Sequence, residues 1–219
     1  MITDERIAAF INSLETRNSE ILEDIEQEAL NALVPIIRKE TQSFLKVIVT
    51  MQKPMRILEI GTAVGFSAIL MSDYAPDECR IVTIENYAKR IPIARENFRR
   101  AGKSSKITLL EGDALEVMKQ LDGSFDLIFM DAAKAQYLYY LPEVMRLLAP
   151  EGILISDNVL QDGEVIESRF AVERRNRTIH SRMREYLYEL KHHQDLLTSI
   201  IPLGDGLAVS RKVKGKKHV

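Results

Sequence analysis

The sequence predicts an α/β fold: a seven-stranded, mostly parallel sheet with an antiparallel C-terminal hairpin and helices on both faces. Three observations carry this. Five short apolar runs alternate with stretches whose apolar residues recur at three- and four-residue steps, the pattern of βαβ units. After residue 164 the alternation stops, and LLTSIIPLGDGLAVSRK reads as two strands around a Gly-Asp-Gly turn, which must pair antiparallel. The chain has 219 residues, 46% of them hydrophobic and 28% charged, enough for a substantial core. With no repeat and no Gly/Ser linker, residues 1–219 read as one domain, with a helical segment over 1–50 packed on it.

In chain order, SEILEDIEQEALNAL and PIIRKETQSFLKVIVTM read as helices, the second with Pro35 at its start, where a missing N–H is tolerated. RILEI (56–60) is the first strand and SAILMSDYA the helix after it. IVTIE (81–85), KITLL (106–110), FDLIFM (125–130) and GILIS (152–156) follow as strands. Between them lie the helical segments AKRIPIARENFRRA, ALEVMKQL and YLYYLPEVMRLLA. A long polar helix is expected over roughly 165–193, leading into the hairpin.

Charge and cysteine content narrow the function classes. Thirty bases against 32 acids give a net charge of −2, so the molecule is not a polycation. The distribution is uneven: residues 1–33 hold eight acids against Arg6 and Arg17, whereas 169–184 hold six arginines. The tail RKVKGKKHV adds five more bases. Such a segment is either a solvated helix face or a patch for phosphate or RNA. Cys79 is the single cysteine, which excludes an internal disulfide and a zinc–thiolate cluster. The start MITDERIAAF lacks the layout of a signal peptide, and no apolar run approaches the ~18 residues of a membrane span. The expectation is a cytoplasmic protein with no membrane partner.

Chemistry-bearing residues gather where strands end, the edge at which parallel α/β sheets hold ligands. ILEIGTAVGFS carries Gly61 and Gly65, which permit a tight turn and close backbone approach. Glu85 ends the second strand, the position from which an acid meets ribose hydroxyls, and Asp113 follows the third, near an adenine edge. With no Walker-type phosphate loop, the ligand is adenosine-like without a pyrophosphate, which S-adenosylmethionine (SAM) fits. Ser67 is placed to donate to its carboxylate, helped by the helix N-terminus.

Asp131 ends the fourth strand, and Asp157 and Asn158 end the fifth. Adjacent strands lie about 4.8 Å apart, so the three can converge on one hard cation, Mg²⁺ or else Mn²⁺ or Ca²⁺. Lys134 then stands beside the ion as a general base. The four histidines enter no motif. Tyr137, Tyr139 and Tyr140 read as packing, with Tyr137 at the pocket mouth.

ILEIGTAVGFSAILMS, IVTIE, EGDAL, FDLIFMDAAKAQY, ISDNVLQDGEV and IIPLGDGLAVSRK together resemble the cation-dependent class I O-methyltransferases, the catechol and caffeoyl-CoA type, from about residue 33 to 212. The resemblance implies a Rossmann-like methyltransferase fold and a homodimer. It assigns Asp131, Asp157 and Asn158 to Mg²⁺ and Lys134 to proton abstraction. Ile37, Gly61, Ser67, Glu85, Asp113, Ala114 and Asp131 are assigned to SAM. The chain departs from the plant caffeoyl-CoA pattern D-N-T-L-W, reading DNVLQ with Gln161, and it holds no Trp. Its arginine-rich segment is most similar to bacterial members that methylate 5-hydroxyuridine at the tRNA wobble position. That base offers two adjacent oxygens, as a catechol does, and Arg174, Arg175 and Arg177 would position the anticodon arm through phosphates. A small catechol-like or hydroxycinnamoyl substrate is the alternative. A SAM-binding module without catalysis is a third reading, disfavoured because SAM binding alone needs no metal set.

Overall fold

A computed structural model describes residues 4–214. It begins with α1 (Glu5–Ser13), α2 (Glu20–Asn31) and α3 (Lys39–Gln52). Next come β1 (Arg56–Ile60), α4 (Phe66–Tyr74), β2 (Arg80–Glu85), α5 (Ile91–Arg100), β3 (Ile107–Glu111) and α6 (Ala114–Gln120). Then follow β4 (Phe125–Met130), α7 (Tyr137–Leu147), β5 (Leu148–Ser156), α8 (Arg177–His192), β6 (Leu196–Ile201) and β7 (Leu207–Lys212). The sheet order is β3-β2-β1-β4-β5-β7-β6, parallel as far as β5 and antiparallel from there. Strand order reverses between β1 and β4, so a crevice opens where their following loops diverge.

Side chains of each strand alternate between two apolar layers. Ile57, Leu127, Phe129 and Ile155 pack beneath α2, α3 and α4 with Leu22, Leu45, Val49 and Ile69. Leu58, Ile60, Ile128 and Leu154 face the other way, against Tyr137, Val144, Met183 and Tyr186 of α7 and α8. Glu59 lies on the first face, fully buried, an acid inside an apolar layer.

Three sequence expectations need correction. Asp4 caps a helix, α1, that the apolar pattern did not announce. Pro35 does not open α3, which starts at Lys39. The chain stays extended through Ile37, whose carbonyl accepts from Gln42 Nε2 at 3.1 Å, so Ile37 can bury itself against the sheet edge. The long helix expected over 165–193 starts only at Arg177. Ahead of it, Gln161–Ile166 form only a short 3₁₀ turn, kinked at Asp162 and Gly163 where φ is positive. The loop is instead tied down from α8, as Arg177 donates to the Val172 carbonyl and Arg184 to that of Val165.

Candidate active site

A cavity of about 720 Å³ opens at the crevice. That is within the range of small-molecule sites. Ile37, Gly61, Ser67, Glu85, Ala114, Asp131, Lys134, Asp157 and Asn158 all line it. Asp113 does not; nor do Arg174, Arg175 and Arg177.

The β1–α4 turn depends on glycine. Gly61 has φ +103°, and a Cβ there would collide with the Asp131 carbonyl; Gly65 has φ +86°, and a Cβ would meet the Phe98 ring at 2.5 Å. Glu85 organises the same turn. One of its oxygens accepts from Ala63 N at 2.8 Å; the other accepts from Asn86 N at 3.0 Å and Tyr87 N at 2.8 Å. A carboxylate offers about four acceptor positions, so one remains for a ligand hydroxyl. Ser67 Oγ donates to Glu59, and Thr83 Oγ1 donates to the other Glu59 oxygen. Burial pushes the Glu59 carboxyl up to about 7 despite both hydroxyls. Asp113 caps α6, accepting from Leu115 N at 3.0 Å and Glu116 N at 3.3 Å. Ala114 beside it reaches the cavity, so the third strand contributes through its backbone neighbourhood.

On the other side of the crevice, β4 and β5 run abreast, Met130 opposite Ser156, and deliver Asp131 and Asp157 side by side. Lys134 Nζ donates to Asp131 Oδ1 at 2.7 Å and to Asn158 Oδ1 at 2.8 Å. Asp157 is 2% exposed. Burial first, and then the Asp131 carboxylate, raise its carboxyl to about 7, with Lys134 opposing. Tyr137 is not at the mouth. It lies fully buried under the site, its hydroxyl 3.1 Å from both the Met130 and Asp157 carbonyls, fastening the two strand ends together.

Two residues that motif reading missed complete this end. Asp205, in the β6–β7 turn, accepts from Asn158 Nδ2 at 3.3 Å, which turns the amide oxygen toward Lys134. Arg38 pairs with Asp205 at 2.8 Å and Asp162 at 3.3 Å, joining three separate segments at the rim. Only the tertiary fold brings these together, from 167 residues apart in the case of Arg38 and Asp205.

The donor set suits a hard divalent cation: two carboxylates and an amide oxygen, already bridged in part by an ammonium. Among the described residues no group of three His, Cys, Asp or Glu is placed for a metal, so the Asn158 oxygen is needed as a donor. An adenosine-like ligand also fits, given the free acceptor on Glu85 and the bare backbone at Gly61.

The arginines sort differently. Arg175 pairs with Glu173 at 2.7 Å and is 80% exposed, whereas Arg177 spends its guanidinium on the carbonyls of Val172 and Phe170. The basic tail beyond residue 214 lies outside the described residues. No helix among them is long and apolar enough to cross a membrane.

The O-methyltransferase family profile matches residues 12–213. A catechol O-methyltransferase of Niastella koreensis is 35% identical over 128 residues, 57% of this chain and 58% of that protein. One from Mycobacterium tuberculosis is 37% identical over 112 residues, 51% of each. The chain thus matches only about half of the length of these relatives. The solved structure of the SAH-bound methyltransferase PaMTH1 of Podospora anserina superimposes with a TM-score of 0.86 at 26% identity, covering 95% of this chain and 94% of that one.

Proposed function

This chain belongs to the O-methyltransferase family, and from that premise we propose that it transfers a methyl group from SAM to a hydroxyl oxygen held at the β4–β5 end of the crevice. One observation carries the reading: Lys134 bridges Asp131 and Asn158 at the wall of a cavity that also holds Glu85 and Gly61. When bound, SAM supplies the methyl group, and a divalent cation such as Mg²⁺, with Mn²⁺ or Ca²⁺ as substitutes, supplies Lewis acidity that favours loss of a hydroxyl proton.

The chain does the rest. Asp131, Asp157 and Asn158 hold the cation, Asp131 also facing SAM. Glu85 accepts from the ribose with its remaining lone pair, and Asp113 and Ala114 bound the adenine end. Ile37, Gly61 and Ser67 enclose the methionine end, where the buried Ile37 side chain excludes water. Lys134 stands as an ammonium donating to Asp131 and Asn158; a cation bound beside it would favour the neutral amine, whose Nζ lone pair would then receive the substrate proton. The SAH bound to the Podospora relative, the demethylated product of SAM, supports the cofactor assignment.

For the acceptor we favour 5-hydroxyuridine at the tRNA wobble position, converted to 5-methoxyuridine. The support is the arginine-rich loop and α8 beside the cavity. The names of the two catechol O-methyltransferase relatives favour a second reading, a small catechol-like substrate. The tRNA reading calls for a cytoplasmic enzyme. We take the whole chain as one domain, because Leu22, Ile25, Leu45 and Val49 share a core with Ile57 and Ile81. We take it to be a homodimer, because Phe10 and Leu14 of α1 and Met51 of α3 expose more than half of their surface. Light scattering tests the dimer.

The substrate test is mass spectrometry of nucleosides from tRNA of cells lacking this gene, incubated with protein, SAM and Mg²⁺, with EDTA in a parallel tube. New 5-methoxyuridine abolished by EDTA is the expected result. Methylation of catechol with no change in tRNA moves the substrate to the second reading.

A further inference from the structure

A second cavity, of about 500 Å³, lies between the loop before α8 and α8 itself, lined by Arg169, Arg184, His180, Ser168 and Ser181 with Glu167. Nothing in the proposed methyl transfer uses it. Arg184 is held in place by its bond to the Val165 carbonyl at 2.8 Å, which leaves its other N–H groups available. Arg169 makes no ion pair or hydrogen bond through its side chain among the described residues. His180 is 3% exposed. Its Nε2 lies 3.1 Å from the Glu167 carbonyl, which can only accept, so Nε2 carries the proton. Nδ1 is then a buried acceptor with no partner among the described residues. Two guanidinium groups and two hydroxyls, against one carboxylate, make a receptor for a phosphate ester, while the bare His180 Nδ1 can only accept and so meets no phosphate oxygen.

Its surroundings point to the source of that phosphate. Phe170, next to Arg169, is 85% exposed, a free aromatic face beside a basic cavity. The same helix reaches the active site: Arg182 donates at 3.2 Å to the carbonyl of Ala135, the residue after Lys134. Arg182 also stacks its guanidinium over Tyr139, 4.9 Å from the ring centroid. Arg182 and the pair His180 and Arg184 sit on opposite flanks of α8, so a strand that places one base in the crevice would have to cross the helix to bring its backbone to this cavity. We infer that the Arg169–His180–Arg184 cavity binds a backbone phosphate of the RNA substrate, with Phe170 as a stacking platform for a flanking base. The inference rests on the tRNA reading and revises it. Arg175 and Arg177, already engaged within the loop, give way to Arg169 and Arg184 as the phosphate contacts.

The test uses the full chain and fluorescence anisotropy of an anticodon stem-loop RNA across a KCl series. Arg169→Ala is expected to weaken binding several-fold and to lower the slope of log affinity against log salt by about 0.7–0.9, one phosphate contact. Phe170→Ala is expected to weaken binding about 5- to 150-fold with the slope unchanged, since stacking is uncharged. Lys119→Ala, on α6, serves as the charge control and should change neither. Methylation of free 5-hydroxyuridine should be the same in all variants. Wild-type binding to RNA with an Arg169→Ala variant of identical affinity and slope would overturn the phosphate site while leaving the tRNA reading intact. No wild-type RNA binding at all would remove the tRNA reading and the inference with it. A caffeoyl-CoA arm identifies the other source of a phosphate ester: an Arg169→Ala effect confined to its KM would overturn the RNA assignment.

Discussion

At the ends of β1, β2 and β3, each acid already has donors from the protein. Glu85 takes three backbone N–H groups, Glu59 two hydroxyls and Asp113 two amides of α6. At the ends of β4 and β5 the acids face one another instead. Asp157 takes one amide, from Asn158, while the Asp131 carboxylate pushes its carboxyl toward neutrality and a lysine ammonium opposes that push from between the strands. One half of the crevice is therefore a finished scaffold that presents leftover acceptors. The other crowds two carboxyl groups around one lysine. On the proposed reading a cation completes it, and the contrast then separates recognition from reaction within a single sheet edge.

Four experiments bear on that contrast. The largest effect is expected from Asp157→Ala. Methyl transfer measured with labelled SAM and Mg²⁺ should fall by roughly 10²–10⁴, the weight of several kcal/mol of charge stabilisation. SAM binding should persist. Full activity in this variant would mean that the two halves do not differ in role.

Glu59 tests how complete the scaffold half is. Its folded carboxyl sits at about 7 against 4.5 unfolded, so the native state binds the extra proton between those values. Stability of the ligand-free protein should thus decline as pH rises from about 4.5 to 7, by up to about 3 kcal/mol. Denaturant melts across that range should show a steeper decline in wild type than in Glu59→Gln, where Asp157, also raised to about 7, still contributes. A Glu59→Gln variant with an unchanged slope would place the titration elsewhere.

Glu85→Gln comes next. Calorimetry should find SAM affinity reduced about 10- to 100-fold, a charge-assisted bond lost. A manganese titration should be unaffected, and a parallel loss of metal affinity would show that the halves are coupled. The smallest change is Asp113→Asn. Asn caps as well as Asp, so stability should stay within about 0.5 kcal/mol. SAM affinity should fall only about two- to tenfold; no fall at all would reduce Asp113 to a helix cap.

The sequence announces elements whose side chains obey a period. All five parallel strands and the hairpin could be read because alternation and turn chemistry are local. That Asp131, Asp157 and Asn158 gather at neighbouring strand ends is readable for the same reason, each following an apolar run. Local patterns failed where the chain is held by distant contacts. Residues 167–176 have helix-compatible composition, but the hold of Arg177 on the Val172 and Phe170 carbonyls keeps them in a loop. Arg38 carries no motif and Asp205 reads in sequence only as the centre of a Gly-Asp-Gly turn; their role exists only because the β6–β7 turn folds back over Asn158. Arg174, Arg175 and Arg177 drew attention by clustering along the sequence. Clustering says nothing about which guanidinium groups the loop itself consumes.

Gly61 has a further consequence. Its α-carbon presses so closely on the Asp131 carbonyl that no side chain fits between the cofactor turn and the β4 end. The spacing between donor and acceptor is thereby written in main-chain atoms, which point mutation of neighbouring side chains cannot alter. Residues 166–171, by contrast, are exposed between the buried Val165 and Val172. On the proposed reading, grafting a different stretch there would alter the acceptor and leave the Gly61–Asp131 contact, and with it the transfer distance, unchanged.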